Sequence, residues 1–336
     1  MNEFEGKTVI VTGATGLIGS NLVYKLLQND SIKVIAVGRN KKKLEVVFSQ
    51  YLDDKRLILE ECDVSLPIEW NDDINYIFHA ASPIAGNIIR ETPIDVILPN
   101  IVGTLNILNF IEKQREEKGI NAKLIIFSSA TVYSNIEKQD IVVNEGETSI
   151  ADALDAQNAP YSESKRMIEV IARSFVKQKK MDISIVRFSY VYGYTKSSPN
   201  TAFYQFIKTA LSGQNIVLNN KGLPRRDNIY IDDAVNGLLY VAKNGESGEA
   251  YNISTNTEKN NFAAIDEMAF IIASVVNEKK KTDIKVEYKD SSAEYSRLPG
   301  VVLNNDKLHS LGWEVKIGLE EGISRTINQF MKELGM

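Results

Sequence analysis

Residues 8–19 read Thr8-Val-Ile-Val-Thr-Gly-Ala-Thr-Gly-Leu-Ile-Gly19. The apolar run Thr8–Val11 is too short for a helix and rich in Val and Ile, so it reads as a buried strand. A helical pattern opens directly after it, over Ser20–Leu27. Between the two stand Gly13, Gly16 and Gly19. Gly13 permits a tight turn, Gly16 lets a pyrophosphate approach the backbone, and Gly19 lets the helix pack on the sheet. The helix N-terminus then points its free N–H groups at the anion. Three glycines alone are a weak signal; a strand before them and a helix after them make this a dinucleotide-binding turn.

Outward from this turn, short apolar runs recur at Lys33–Val37, Arg56–Leu59, Tyr76–His79, Leu124–Phe127 and Ile183–Phe188. Between them lie helical patterns, with Ile101, Leu105, Leu108 and Ile111 on one face and Met167, Ile168, Ile171 and Phe175 on another. Strand–helix–strand repetition implies right-handed crossovers and an α/β fold built on a parallel, doubly wound sheet. The pattern breaks after about Gly193. There follow a helix near Thr201–Leu211, a strand near Ile216–Leu218, a Gly-Leu-Pro-Arg-Arg turn, and a helix at about Asp232–Lys243. A strand at Ala250–Ile253 and one near Ile284–Tyr288 complete the reading. Residues 1–190 are therefore expected to bind the dinucleotide. Residues 191–336 are expected to form a smaller, interleaved substrate domain, with some segments returning to the first. The stretch 134–160 is long for a loop, which points to function or minor structure.

The chain has 336 residues, 43% of them hydrophobic and 25% charged, with net charge −5. An acidic chain argues against a broad nucleic-acid surface. The single cysteine, Cys62, excludes an intrachain disulfide, and two histidines make a His-based metal site improbable. No apolar run of about 18 residues is apparent, so no membrane-spanning helix is expected. A cytoplasmic location is the corresponding expectation.

The second strand ends at Val37-Gly38-Arg39-Asn40. A carboxylate here would meet a ribose 2′-hydroxyl, whereas the planar fork of Arg39 suits a 2′-phosphate. NADP(H) is favoured, with NAD(H) possible should Arg39 stack on adenine or face solvent. Asp63 stands either where it meets an adenine amino group or as a turn cap. Further on, Tyr161 and Lys165 in Pro160-Tyr-Ser-Glu-Ser-Lys165 fall one helical turn apart on one face. A nearby ammonium is expected to lower the tyrosine pKa and ready it for acid–base exchange with a carbonyl or alcohol. Phe127-Ser128-Ser129 ends a strand at the edge where ligands bind in open α/β sheets.

Together, the glycine turn, His79-Ala-Ala-Ser82, Asn100 to Thr104, Ser128-Ser-Ala-Thr-Val-Tyr133, Tyr161-x-x-x-Lys165, Arg225-Arg-Asp-Asn-Ile-Tyr-Ile-Asp-Asp233 and Leu311-Gly-Trp313 resemble the extended short-chain dehydrogenase/reductases. The subgroup is the NAD(P)-dependent epimerase/dehydratase family of nucleotide sugars, and the similarity spans nearly the whole chain. It implies a Rossmann-like domain whose cofactor residues are Gly13, Thr15, Gly16, Leu17, Ile18, Gly19, Arg39, Asp63, Val64, Ala80, Ala81 and Ser82, with Tyr161 and Lys165. It implies catalysis by Ser129, Tyr161 and Lys165, and substrate contacts from Ser129, Thr131, Ser189, Arg226 and Arg297. The two arginines would grip a nucleotide diphosphate; their plainer reading is a surface ion pair. Asn100 would be structural or a cofactor-side relay. The partner implied is a nucleotide-diphosphate sugar, and the helices Ile101–Ile111 and Met167–Phe175 would pair in a homodimer; the alternative is that both faces only pack on the sheet.

Family dehydratases place an Asp-Glu pair directly after the triad hydroxyl, and related decarboxylases keep the Glu. Here those positions are Ala130 and Thr131, neither of which is a carboxylic acid. Ser189 stands where many relatives carry Asn. The expected reaction is hydride transfer at a sugar carbon, C4 by preference, as a 4-ketoreductase or a 4-epimerase. The rivals are a carbonyl reductase of a non-sugar substrate and a non-catalytic NAD(P) sensor.

Overall fold

The computed structural model describes residues 2–83, 86–133, 141–147, 151–219, 225–289 and 301–336. Its first half alternates as the apolar runs demand. In chain order come β1 (Thr8–Thr12), α1 (Leu17–Leu26), β2 (Lys33–Gly38), α2 (Lys41–Val47), β3 (Leu57–Glu61), β4 (Tyr76–His79), α3 (Gly86–Glu91), α4 (Ile94–Lys118) and β5 (Lys123–Phe127). The short β6 (Ile141–Val143) precedes α5 (Ala159–Lys179) and β7 (Ile183–Phe188). The second half holds β8 (Tyr190–Tyr192), α6 (Ala202–Leu211), β9 (Ile216–Leu218), β10 (Arg226–Tyr230), α7 (Ile231–Asn244), β11 (Ala250–Ile253), β12 (Phe262–Ala263), α8 (Ile265–Lys280), β13 (Val286–Tyr288), β14 (Val301–Leu303), α9 (Asp306–His309) and α10 (Leu319–Glu333).

Among the described residues, seven strands form one sheet in the order β11-β7-β5-β4-β1-β2-β3, every neighbour parallel. Alternate residues of each strand feed opposite faces. Val9 and Val11 pack with Leu22, Val23 and the α7 residues Leu238 and Val241. Ile10, Ile77, Leu124 and Ile126 face the other way, onto Ile107, Leu108 and Ile111 of α4 and Ile168 and Ala172 of α5. Burial on both faces is why these strands are near-continuous Val, Ile and Leu. The chain runs outward from β1 to β3, then returns to lay β4 on the other side of β1. That reversal opens a crevice at the carboxyl ends of β1 and β4, where open α/β sheets bind ligands. Thr12 is in register with both Val37 and His79, so the chain leaves all three strands at one level.

The later residues form smaller sheets, β12-β10-β8, β13-β9 and β14-β6. Trp313 is buried and donates from its indole to Asp233 O at 3.1 Å, while the Asp233 carboxylate accepts from Lys316 and Ile317 N–H. The Leu-Gly-Trp stretch thereby ties the C-terminal segment back onto α7.

Two expectations are corrected. Arg226, read as the end of a turn, begins β10; the preceding residues 222–224 lie outside the described residues. The 25-residue α4 also has the length and apolarity of a membrane-spanning helix, contrary to the reading of the sequence. Half of its most apolar window is buried inside the fold, where Val96, Ile107, Leu108 and Ile111 line the core.

Candidate active site

The turn after β1 is built by close approach. Gly13 has φ +64°, and a Cβ there would lie 2.6 Å from Ala80 O at the end of β4. A Cβ on Gly19 would lie 2.4 Å from Gly13 O, so only glycine lets α1 begin this near the turn. Gly16 occupies the N-cap of α1 without any side-chain cap, which leaves the first-turn N–H groups facing the crevice mouth. The helix thus starts at Leu17, three residues earlier than its apolar periodicity indicates. The Thr12 hydroxyl bonds His79 Nδ1 at 2.9 Å and accepts from Ala81 N–H at 3.2 Å, which fixes β1 against the chain leaving β4. Burial first, then the charge of Lys165, lowers the His79 pKa to about 3, so this imidazole is neutral.

A cleft runs along this edge. Its walls include Gly13, Thr15, Gly16, Arg39, Asp63, Val64, Ala80, Ala81 and Ser82, all anticipated, and also Val37, Gly38, Cys62, Pro83 and Pro99. Leu17 and Ile18 instead turn their side chains into the core, and Gly19 is buried beneath the turn. Three features fit an anionic dinucleotide. The N-terminus of α1 is uncapped. The Ser82 hydroxyl is buried with no partner among the described residues. Arg39 is exposed on the cleft wall and makes no hydrogen bond or ion pair among them. Asp63, on the cleft wall, accepts from Ser65 N–H at 2.9 Å, which is its turn-cap reading. Lys41, just beyond Arg39, donates to Leu59 O.

The chemical centre lies where α5 passes the end of β5. Pro160 sits in the first turn of α5, where its missing N–H costs no bond. Tyr161 and Lys165 then face the chain leaving β5. The Ser129 hydroxyl is within reach of the Tyr161 phenol and pulls its pKa down, but burial is the larger effect and pushes it up. Lys165 is buried, donates to Phe127 O at 2.6 Å, and lies 5.7 Å from the centre of the Tyr161 ring. Burial drops its pKa to about 7, against the opposing pull of Glu169. The expected lowering of the tyrosine by the ammonium is therefore corrected. The lysine is itself desolvated and donates its hydrogen bond to the Phe127 carbonyl, and the phenol stays protonated at neutral pH.

Ala130 and Thr131 follow Ser129 on a 3-10 turn, Ala130–Tyr133, and Thr131 N–H donates to Ser129 Oγ at 3.2 Å. Ser189 lies just past the end of β7, and its buried hydroxyl has no partner among the described residues. Next to it Tyr190 carries the Arg226 guanidinium stacked 5.2 Å from its ring centre. Arg226 is exposed and enters no ion pair among the described residues, so its plainer reading is not what is seen. Arg297 lies outside the described residues. Asn100 donates to Ser164 Oγ at 2.8 Å, and Ser164 to Tyr161 O at 2.9 Å, a structural tie from α4 to the turn of α5 that bears the tyrosine.

Comparison with known proteins places this geometry. Residues 9–254 match the family described as NAD dependent epimerase/dehydratase. The chain belongs to that family. It is 26% identical over 331 residues to UDP-glucuronic acid decarboxylase 6 of Arabidopsis thaliana, covering 98% of this chain and 90% of the relative. It is 29% identical over 337 residues to the dTDP-D-glucose 4,6-dehydratase of Mus musculus, covering 97% and 89%. An epimerase of Methanothermobacter thermautotrophicus shares its fold with TM-score 0.78 at 22% identity, over 99% of this chain and 94% of the other. A UDP-glucose 4-epimerase of Thermotoga maritima does so with TM-score 0.76 at 23%, over 97% and 99%.

Within this epimerase/dehydratase frame, one group escaped the reading of the sequence. Glu169 stands one turn beyond Lys165, and Arg187 opposite it on β7; the two make a buried, two-pronged ion pair at 2.8 and 2.6 Å. Burial works to raise the Glu169 pKa, but Arg187 and Ser128 hold it below the usual carboxylate range. The signal was present in the spacing: Tyr161, Lys165 and Glu169 repeat every four residues, one face of a helix.

Proposed function

We propose that this protein transfers a hydride at C4 of a nucleotide-diphosphate sugar, as a 4-ketoreductase or a 4-epimerase. The observation that carries the reading is the chemistry around Ser129 and Tyr161. A proton donor, a second hydroxyl and an amine converge there, while the next two side chains are Ala130 and Thr131. Elimination of water needs an acid and a base beside the sugar, and neither residue supplies a carboxyl group. A nicotinamide dinucleotide, held by the glycine turn and the cleft residues Arg39, Asp63 and Ala80–Ser82, would supply the hydride chemistry.

The remaining work falls to side chains. Tyr161, kept protonated by burial, gives its proton to a C4 carbonyl oxygen as that oxygen gains charge. Ser129 shares the hydrogen bond, and Lys165 stands behind the phenol. The ketoreductase is preferred because Arg39 stands where a 2′-phosphate would be met, which suits NADPH as reductant. Arg226, stacked on Tyr190, and the Ser189 hydroxyl, which has no partner among the described residues, suit the diphosphate. Arg39 on the cleft wall favours NADP(H) over NAD(H), since its fork suits a 2′-phosphate. We further propose a homodimer through α4 and α5, whose outer faces expose Ile94, Ile97, Leu98, Met167 and Val170.

The test is NADPH consumption on addition of a UDP- or dTDP-linked 4-keto sugar. Turnover is expected, and Tyr161→Phe is expected to lower kcat by roughly a hundredfold or more. Equal rates on a simple ketone without a nucleotide would instead assign a general carbonyl reductase.

A further inference from the structure

The stretch that bears Ser129 is held at both ends by one ion pair. At its start, Ser128 donates to Glu169 Oε1 at 2.6 Å. At its end, the Tyr133 hydroxyl accepts from Arg187 at 2.6 Å, and the guanidinium lies 4.9 Å from the Tyr133 ring centre. Arg187 closes the circuit with its two bonds to Glu169, and it also donates to Glu145 O at 2.9 Å. The Tyr133 hydroxyl in turn donates a hydrogen bond to Asn252 Oδ1 on β11 at 2.9 Å. Between the two ends, Val132 N–H donates to Ser129 O at 3.2 Å, and Arg166 of α5 donates to Val132 O at 2.9 Å, so the middle of the turn is tied internally and to α5.

We infer that Glu169 and Arg187 are positioning residues of the reaction: they clamp residues 128–133 against α5 and so set the approach of Ser129 to Tyr161. Glu169 grows from the same helix face as Tyr161 and Lys165, and the turn it grips carries the hydroxyl. Stability alone is a weak reason for this arrangement, because a buried ion pair is often no more stabilising than apolar packing of the same volume. What such a pair adds is a defined geometry, here shared by the two ends of the Ser129 turn. The inference rests on Ser129 and Tyr161 being the reacting pair.

Ser128→Ala and Tyr133→Phe each remove one link from the clamp and leave the ion pair whole. Together they are expected to lower kcat by roughly tenfold to a hundredfold, the scale of a displacement near 1 Å, with KM changed less than about twofold. In a Tyr161→Phe background the same pair of changes should cost nothing further, because the clamp acts through that contact. An unchanged kcat with a lowered Tm, or a loss that adds fully to that of Tyr161→Phe, overturns the inference. A crystal structure of the Ser128→Ala/Tyr133→Phe protein is a readout independent of substrate. Ser129 Oγ drawn away from the Tyr161 hydroxyl supports the clamp, and an unmoved Ser129 overturns it. Should the wild-type protein turn over no nucleotide sugar, the functional reading fails, and this distance alone decides the inference.

Discussion

Lys165 carries the clearest consequence at the scale of single residues. Its spacing from Tyr161 was legible, because a repeat of four on a helix needs only the sequence. Its protonation was not, because that depends on how much water the fold removes. Burial takes its pKa to about 7, whereas an unfolded lysine titrates at about 10.4. Between these values the unfolded chain binds the proton more tightly, so stability should rise with pH from about 7 to about 10. Lys165→Met removes that dependence. It is expected to raise Tm at pH 6 by roughly 2 °C or more while abolishing turnover; thermal melts from pH 6 to 9 check both the shift and the lost slope. Arg39 makes a separate prediction. Arg39→Ala should weaken NADPH at least tenfold, about 1.4 kcal/mol, and leave NADH nearly unchanged in a fluorescence titration. Equal losses for both cofactors would remove Arg39 as the reader of a 2′-phosphate.

Among the elements, the β1 turn is the one whose geometry follows most directly from residue type. Gly13→Ala would set a left-handed φ and a 2.6 Å clash with Ala80 O on one residue. Left-handed backbone costs roughly 1–2 kcal/mol for an L-residue. A lowered Tm and loss of dinucleotide binding are expected; unchanged affinity would show that the turn does not need its glycine. The parallel strands were legible for a related reason, since a strand buried on both faces must be apolar throughout. Strands β8, β10 and β12 were not. Arg226, Asp227 and Asn228 look like a polar turn, and only the fold shows their partners: Asp227 bonds Thr255, and Asn228 donates to Asn261 O and Ala263 O. Burial raises the Asp227 pKa to about 6, against those bonds. A buried polar strand satisfied by distant loops leaves no periodic trace in sequence.

For the whole molecule, the dimer proposal turns on exposed apolar residues of α4 and α5. Ile94 is 63% exposed and Val170 57%, unusual for helices whose other faces are core. Light scattering at micromolar concentration is expected to give about twice 37.6 kDa, and Val170→Glu to shift the protein toward monomer. A monomeric wild type contradicts the proposal. The Glu169–Arg187 clamp spans the same scale, for it joins α5, β7 and β11, which no local reading of sequence brings together.

The most direct test of the central claim is proton NMR of a nucleotide sugar after incubation with the protein and cofactor, using UDP-glucose, UDP-glucuronic acid and a dTDP-4-keto sugar in parallel. Reduction or inversion at C4, with every carbon and the C6 oxygen retained, is the predicted result. Loss of the C6 carboxylate as carbon dioxide, or a 4-keto-6-deoxy product, would contradict it, because both need a carboxylic acid or base that Ala130 and Thr131 do not provide.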